Sequence, residues 1–331
     1  MNSPHDAPPP TAGVVIVSHN SALLLVDRVG QWSNRDNAEL VVVDNASTDG
    51  SASLARAAGA LTIEMGTNAG YAIACNRGAD ALRSRHEWIA FVNPDVDLHP
   101  DDLARLIADA PSDAVALSPL LVDNVGRPLP DIARPEPRLA STLAVWLLTA
   151  RADRPAKRML ARIAETPGRW FEVPVTSGAC LVVRSSAIKD DGFSESYFLF
   201  SEDIDISISL RSKGRLLVDR DIRVRHTSRS SSSGVGRTAR QLEAGRAVIV
   251  FFARRKPRWQ LPVVSAAIVA GMAVRGLREP MRCPVSAAAW RGWATGTALL
   301  GREALRIART VWRGAALPRT SGPLFVGRQL G

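Results

Sequence analysis

Apolar residues in the first hundred positions come in short unbroken runs, separated by stretches with helical spacing. "VVIVS" (14–18) and "LVVVD" (40–44) are β-branched and show no strict alternation with polar residues, as strands covered on both faces do. Residues 21–33 between them read as a helix. "NASTDGS" after the second run is turn chemistry, and 51–58 reads as a helix with Ser51 or Asp49 near its cap. "LTIEM" (61–65), a helix over 71–84 and "WIAFVN" (88–93) continue the alternation. Strand and helix following one another at short spacing predict an open α/β sheet.

Ligands of such sheets collect at the carboxyl ends of the strands. Asp44 and Asp95 both fall there. Either could instead cap the helix that follows it. In "FVNPDVDLHP" (91–100), Asp97 stands two residues beyond Asp95. Side chains at i and i+2 of an extended backbone project to one side. Two such carboxylates suit one hard divalent cation, Mg²⁺ or Mn²⁺, which in turn bridges a diphosphate.

Composition narrows the class. The 331 residues are 46% apolar and 22% charged, which suits a folded chain with one large domain or two modest ones. Cys75, Cys180 and Cys283 share no metal-type spacing, so they read as free thiols of a reducing compartment. Residues 1–12 are polar and proline-rich, lack the apolar core of a signal peptide, and read as a disordered leader.

Charge is uneven. Residues 236–331 hold 17 Lys and Arg against three Glu and no Asp, a balance of +14. The whole chain carries +10, so residues 1–235 sum to −4. A basic end of this kind fits anionic lipid or nucleic acid, and charge alone does not choose. The basic residues avoid the α/β portion and no nucleic-acid motif is present, which disfavours the second partner.

Within that end, "PVVSAAIVAGMAV" (262–274) is uncharged and flanked by arginines. The 14 residues from Leu261 to Val274 make a helix of about 21 Å, short of the ~30 Å hydrocarbon core, so a buried or interfacial helix is expected rather than a span. Trp259, Trp290, Trp293 and Trp312 lie near basic residues, a pairing found at membrane interfaces. "LAVWLLTARADRPAKRMLARIA" (143–164) has a similar apolar-then-basic make-up.

Taken in order, "VVIVSHN", "VVVDNASTDGS", "NAGYAIACNRGA" (68–79) and "FVNPDVDL" resemble the nucleotide-sugar half of family 2 glycosyltransferases. "TSGACLVVRSSAI" (176–188), "GFSESYFLFSEDIDISISLRSKG" (192–214) and "VRHTSRSSSSG" (224–234) resemble the acceptor half, most of all in rhamnosyltransferase-type bacterial members. The resemblance covers residues 13–258 and implies a GT-A fold, a metal-bound nucleotide diphosphate donor and inversion at the anomeric carbon. It divides the chain into a nucleotide-sugar half (13–115), an acceptor and catalytic half (116–235) and a basic helical extension (236–331) at the membrane.

By this resemblance Asp44 and Asn45 contact the base or ribose, and Asn68, Gly70, Asn76 and Asn93 line the nucleotide side. The metal motif has two registers here, Asn93-Pro94-Asp95 and Asp95-Val96-Asp97, and only Asp95 is in both. Asp97 could instead cap the helix starting near "HPDDLARLIADA". His226, after the strand-like "DIRVRH", stands where related enzymes ligate the metal. The Ser-rich run beyond it has the composition of a lid, whose Arg229 could meet the diphosphate.

Inverting transfer needs one base for the acceptor hydroxyl. "FSEDIDIS" supplies Glu202, Asp203 and Asp205 at the start of a helix, where the dipole favours carboxylates in any case. The resemblance makes Asp203 the base, with Glu202 next. The implied reaction moves rhamnose from dTDP-rhamnose, or alternatively a UDP-hexose or UDP-galactofuranose unit, to a lipid-linked or cell-wall glycan. It runs at the cytoplasmic face of the plasma membrane, with Mn²⁺ or Mg²⁺ as cofactor. A catalytically dead membrane adaptor is the reading that intact Asp95, Asp203 and His226 oppose.

Overall fold

The computed structural model describes residues 12–32, 38–148, 154–227, 237–282, 287–320 and 322–324. The proposed leader, the Ser-rich run with Arg229 and Cys283 lie outside the described residues.

Among the described residues eight strands form one sheet. They are β1 (Ala12–Ser18), β2 (Ala38–Asp44), β3 (Leu61–Glu64), β4 (Trp88–Val92), β5 (Ala114–Val122), β6 (Trp170–Glu172), β7 (Cys180–Arg184) and β8 (Arg215–Arg225), in the order β3-β2-β1-β4-β7-β5-β8-β6. β1 runs parallel to β2 and β4, β2 to β3, and β5 to β8. β7 is antiparallel to both β4 and β5, and β6 to β8. Six strands therefore point one way, and their carboxyl ends share one edge of the sheet. β7 starts at that same edge, because Cys180 pairs with Val92. The expected division at 115/116 runs through β5, and β7, from the second half, lies between β4 and β5.

The strands are apolar runs because both faces are covered: every residue of β1, β4 and β5 is buried. The helices between them follow the pattern: α1 (Ala22–Trp32), α2 (Ser51–Ala57), α3 (Tyr71–Leu82) and α4 (Pro100–Ala108). α1 turns Leu25, Val29 and Trp32 inward at helical spacing. α4 opens on Pro100 at its first position, with Asp101 and Asp102 in its first turn, where the dipole favours them.

A second core joins the remaining helices: α5 (Leu139–Leu147), α7 (Glu202–Arg211), α8 (Arg237–Arg255), α9 (Gln260–Arg282) and α10 (Ala287–Trp312), with α6 (Arg154–Glu165) packed on the first core instead. Phe251, Phe252, Ile249 and Leu242 of α8 are fully buried there with Val264, Ile268 and Met272 of α9. Burying each such side chain stabilises the fold by about 1.5–3 kcal/mol. The basic end is thus a folded helical layer that shares a core with α7.

Two expectations about this layer change. The apolar stretch 262–274 is the middle of a 23-residue helix of about 34 Å, because the helix continues through Arg275. Gln260–Leu277 is long and apolar enough to cross a membrane by length and composition, although one of its faces is buried in the helical core. Trp293 is not interfacial: it is buried, and its indole N–H donates to the Met272 carbonyl at 2.8 Å. Trp259 and Trp312 are exposed, as an interfacial role requires. Much of the charge is also spoken for. Arg246, Arg254, Arg255, Lys256, Arg306 and Arg319 all pair with carboxylates.

Candidate active site

The shared strand edge opens into a cavity of about 450 Å³. Its lining comes from the ends of β1, β2 and β4, the turn before α3, the bend before β7, the segment before α7, the residue after β8, and the loop following β5.

At the β2 end, Asp44 is buried, and its Oδ2 accepts from the Ser47 N–H at 2.9 Å. Its Oδ1 is buried without a hydrogen-bond partner. Asn45 ties this end to the turn before α3. Its Nδ2 donates to Asn68 Oδ1 at 2.9 Å, and its Oδ1 accepts from the Ala69 N–H at 2.9 Å. Asn68 Oδ1 also accepts from the Gly70 N–H at 3.2 Å. His19, which the sequence reading passed over, lines the cavity with Nδ1 2.9 Å from the Asn45 carbonyl.

Gly70 has φ 93°, and a Cβ there would stand 2.5 Å from the Phe198 carbonyl oxygen. Only glycine allows this conformation and this contact together. The approach lets the Tyr71 N–H donate to the Phe198 carbonyl at 2.8 Å, locking the turn before α3 to the segment before α7. Asn76 does not reach the cavity. Its amide donates to the Phe193 carbonyl at 2.8 Å and to Glu195 Oε1 at 3.2 Å, and its Oδ1 accepts from the Phe193 N–H. It pins the 193–195 segment and offers nothing to a nucleotide.

The structure separates the two carboxylates of "PDVD". Residues 93–96 form a turn, closed by Val96 N–H to the Asn93 carbonyl at 3.0 Å, so the i, i+2 rule for extended chain does not hold here. Asp97 instead pairs with Arg28, with His99 and Arg225 within 4 Å. Asn93 lines the cavity, and its N–H donates to the Ala179 carbonyl at 2.8 Å.

Asp95 is brought to His226 instead. The backbone holds the two together through Asp97 N–H to Arg225 O at 2.8 Å and Thr227 N–H to Asp95 O at 3.1 Å. His226 Nε2 stands 3.3 Å from Asp95 Oδ1, without the alignment of a hydrogen bond. Asp95 Oδ1 and His226 Nδ1 are both buried with no hydrogen-bond partner. Two ligands of one octahedral cation, each about 2.1 Å from it, lie about 3 Å apart. The pair therefore fits a divalent cation. No group of three or more such ligands occurs among the described residues, and Mg²⁺ characteristically takes one or two carboxylates plus substrate phosphates and water.

Glu202, Asp203 and Asp205 open α7, all three buried. Asp203 lines the cavity. Its Oδ2 accepts from Arg134 and from the Gly178 N–H at 3.2 Å, and its Oδ1 from the Ile204 N–H at 2.8 Å. A Cβ at Gly178 would stand 3.0 Å from Asp203 Cβ, so glycine here leaves room for the acid. Glu202 also lines the cavity. Burial first, and then the neighbouring Asp203 charge, push its carboxyl up to about 8. Asp205 faces away from the site, toward α8. Arg255 Nε donates to its Oδ1 at 2.6 Å and Tyr197 donates to the same oxygen at 3.3 Å.

Arg134 is the cavity's one Arg or Lys among the described residues, and it carries no motif that would mark it in the sequence. It follows the short 3₁₀ turn Pro130–Ala133, and only the fold shows that this loop crosses to α7.

The family model described as "Glycosyl transferase family 2" matches residues 13–191. The chain belongs to this family. Its sheet is the GT-A architecture that the motifs imply. Two curated relatives, the N-acetylglucosaminyl-diphospho-decaprenol L-rhamnosyltransferases of two Mycobacterium tuberculosis strains, are 32% identical to it over 205 residues. The match takes in 54% of this chain and 62% of the relatives, so the chain spans less than two thirds of their length. Among solved structures, a mannosyltransferase from Pyrobaculum calidifontis with GDP-mannose and Mn²⁺ aligns over 95% of this chain and 92% of its own, at 18% identity and TM-score 0.49. Glucosyl-3-phosphoglycerate synthase from M. tuberculosis with Mn²⁺ and UDP-glucose aligns over 75% and 81%, at 13% identity and TM-score 0.43.

Proposed function

We propose that this glycosyltransferase is metal-dependent and inverting, and moves L-rhamnose from dTDP-rhamnose to a lipid-linked glycan acceptor at the cytoplasmic face of the membrane. The observation that carries the reading is one cavity bordered by two different chemistries. Asp95 offers an unsatisfied Oδ1 and His226 an Nε2 only 3.3 Å from it to a cation, while Asp203 and Glu202 supply carboxylates. The choice of sugar and acceptor is supported by the relatives' name, an L-rhamnosyltransferase acting on N-acetylglucosaminyl-diphospho-decaprenol.

In this reading Asp44 Oδ1 meets the nucleoside, and the Asn45–Asn68 bridge holds the turn against which it lies. A cation at Asp95 and His226, when bound, neutralises charge developing on the leaving diphosphate. Asp203 takes the proton of the acceptor hydroxyl as that oxygen attacks the anomeric carbon. Arg134 and the Gly178 N–H orient its carboxylate. Glu202, buried beside Asp203, has its affinity for protons raised and is the weaker acid of the two neighbours.

The membrane-facing surface we assign to α9 and α10. Val263, Val274, Leu277, Trp259 and Trp312 are exposed there beside the exposed Arg258, Arg291 and Arg313. Apolar and cationic side chains on one layer suit an anionic bilayer surface.

A thermal-shift panel of nucleotide sugars, each with and without Mn²⁺, tests the donor. Ligands that bind only the native state raise its melting temperature. The dTDP-rhamnose well with Mn²⁺ is expected to show the largest rise. A larger rise with a UDP-sugar reassigns the donor, and a rise indifferent to Mn²⁺ removes the metal.

A further inference from the structure

Four non-glycine residues among those described have positive φ, and two of them are consecutive: Phe200 at 69° and Ser201 at 63°. A bulky side chain in the left-handed region is an outlier, and such strain persists only where the surroundings impose it. Here they do. Upstream, Phe198 is held through its carbonyl by Tyr71. Downstream, α7 is fixed by Asp205 to Arg255.

The strained residue does little for the fold. Tyr197 and Phe198 beside it are buried, at 1% and 9% exposure, while Phe200 is 37% exposed and lines the cavity. A glycine would adopt the same backbone without strain. Holding an exposed benzyl ring at the cavity wall, where a smaller residue would fold better, points to a ligand.

We infer that Phe200 is the platform on which the acceptor's sugar ring stacks, through the apolar C–H face of the ring. This rests on the function proposed above. Phe200 stands two residues before Glu202 and three before Asp203. The base must lie within hydrogen-bond reach of the hydroxyl it deprotonates. Phe200 and Asp203 line the same cavity, so a sugar ring resting on Phe200 lies in the space that holds the proposed base. An aromatic face beside carboxylates matches a pyranose, which pairs an apolar face with hydroxyls at its rim.

The test uses the full chain with Mn²⁺, dTDP-rhamnose and a short-chain N-acetylglucosaminyl diphospholipid as acceptor probe. Phe200→Gly is expected to keep or raise the melting temperature and to leave dTDP affinity unchanged by calorimetry. Its acceptor KM is expected to rise about tenfold or more, the order of one lost aromatic contact. Phe200→Tyr should restore the acceptor KM. A lowered melting temperature with an unchanged acceptor KM makes the ring a packing residue and overturns the inference. Weakened dTDP binding moves the ring to the donor side and overturns it as well. If the wild-type chain binds no nucleotide sugar, the proposed function itself falls and takes this inference with it.

Discussion

Arg134 donates to Asp203 Oδ2 in the cavity wall, and the Gly178 N–H shares that oxygen. The pairing fixes the direction of the carboxylate while leaving it in the cavity. Asp203→Asn keeps the shape and removes the base. Transfer should fall by about 10²–10⁴-fold or more, while nucleotide affinity stays within a few-fold by calorimetry. Lost donor affinity in a folded variant would place Asp203 on the nucleotide side instead.

Asp95 and His226 are predicted to act as a pair. Asp95→Ala and His226→Ala should each raise the Mn²⁺ concentration needed for half-maximal turnover, and EDTA should stop the wild-type enzyme. Asp97→Asn should leave that concentration unchanged. Burial pushes the Asp97 carboxyl up, but Arg28 outweighs it and holds the group below its usual range, so the variant should lower the melting temperature modestly. A Mn²⁺ titration of the three variants decides between the two registers of the metal motif.

Glu202 gives a pH dependence whose sign is fixed. Its carboxyl titrates near 8 in the folded chain, against 4.5 for an ordinary glutamate, because burial and Asp203 disfavour its charge. The folded state holds the proton more tightly than the unfolded state, so this stabilisation is complete below about pH 4.5 and lost as pH rises through about 8. Glu202→Gln cannot lose a proton. Its melting temperature should exceed that of the wild type at pH 8.5 by more than it does at pH 5. Parallel melting curves for the two proteins across that range would remove the buried-acid assignment.

Asp205 is expected to be structural although it shares a motif with the base. It is 3% exposed and holds Arg255 and Tyr197. Breaking a buried pair from one side costs about 3–5 kcal/mol; Arg255 is a quarter exposed, which favours the lower end. Asp205→Ala should show a clearly lower denaturation midpoint in urea, yet retain most of its turnover at a temperature where it stays folded.

Binding to vesicles tests the membrane surface. Removing α9 and α10 would uncover Phe251, Phe252 and Leu242, so truncation confuses unfolding with loss of a docking surface. Replacing the exposed Arg291, Arg302, Arg309 and Arg313 by Gln is the cleaner change. Each basic residue near an anionic surface contributes about 1 kcal/mol, so the fourfold variant should no longer pellet with anionic vesicles while its melting temperature holds. If the full-length chain ignores vesicles and binds DNA with a steep salt slope, the surface belongs to nucleic acid.

Most of the donor half was legible because it is written locally. β1, β2 and β4 are apolar runs; Asp44 closes β2 and Asp95 stands three residues past β4. What could not be read depends on long-range placement. Asn76 sits in a motif, yet its partners are Phe193 and Glu195, over a hundred residues away. Asp97 turns aside because Asn93 and Pro94 open a turn where an extended strand was assumed. Arg134 has no flanking pattern and meets Asp203 across 69 residues, from the loop that follows β5. The length of α9 was missed because the apolar stretch ends at Val274 while the backbone continues helical.

The segment just before α7 has a second support that arrives late. The Thr320 N–H donates to the Glu195 carbonyl at 2.7 Å, Arg319 pairs with the Glu195 carboxylate, and the Leu324 N–H reaches Glu243 at 3.1 Å. Residue 320 is made long after residue 195. During synthesis the sheet can form while the stretch before α7 still lacks this brace. The brace couples the 193–201 stretch to residues 319–324 and through them to α8, so loosening one should loosen the other.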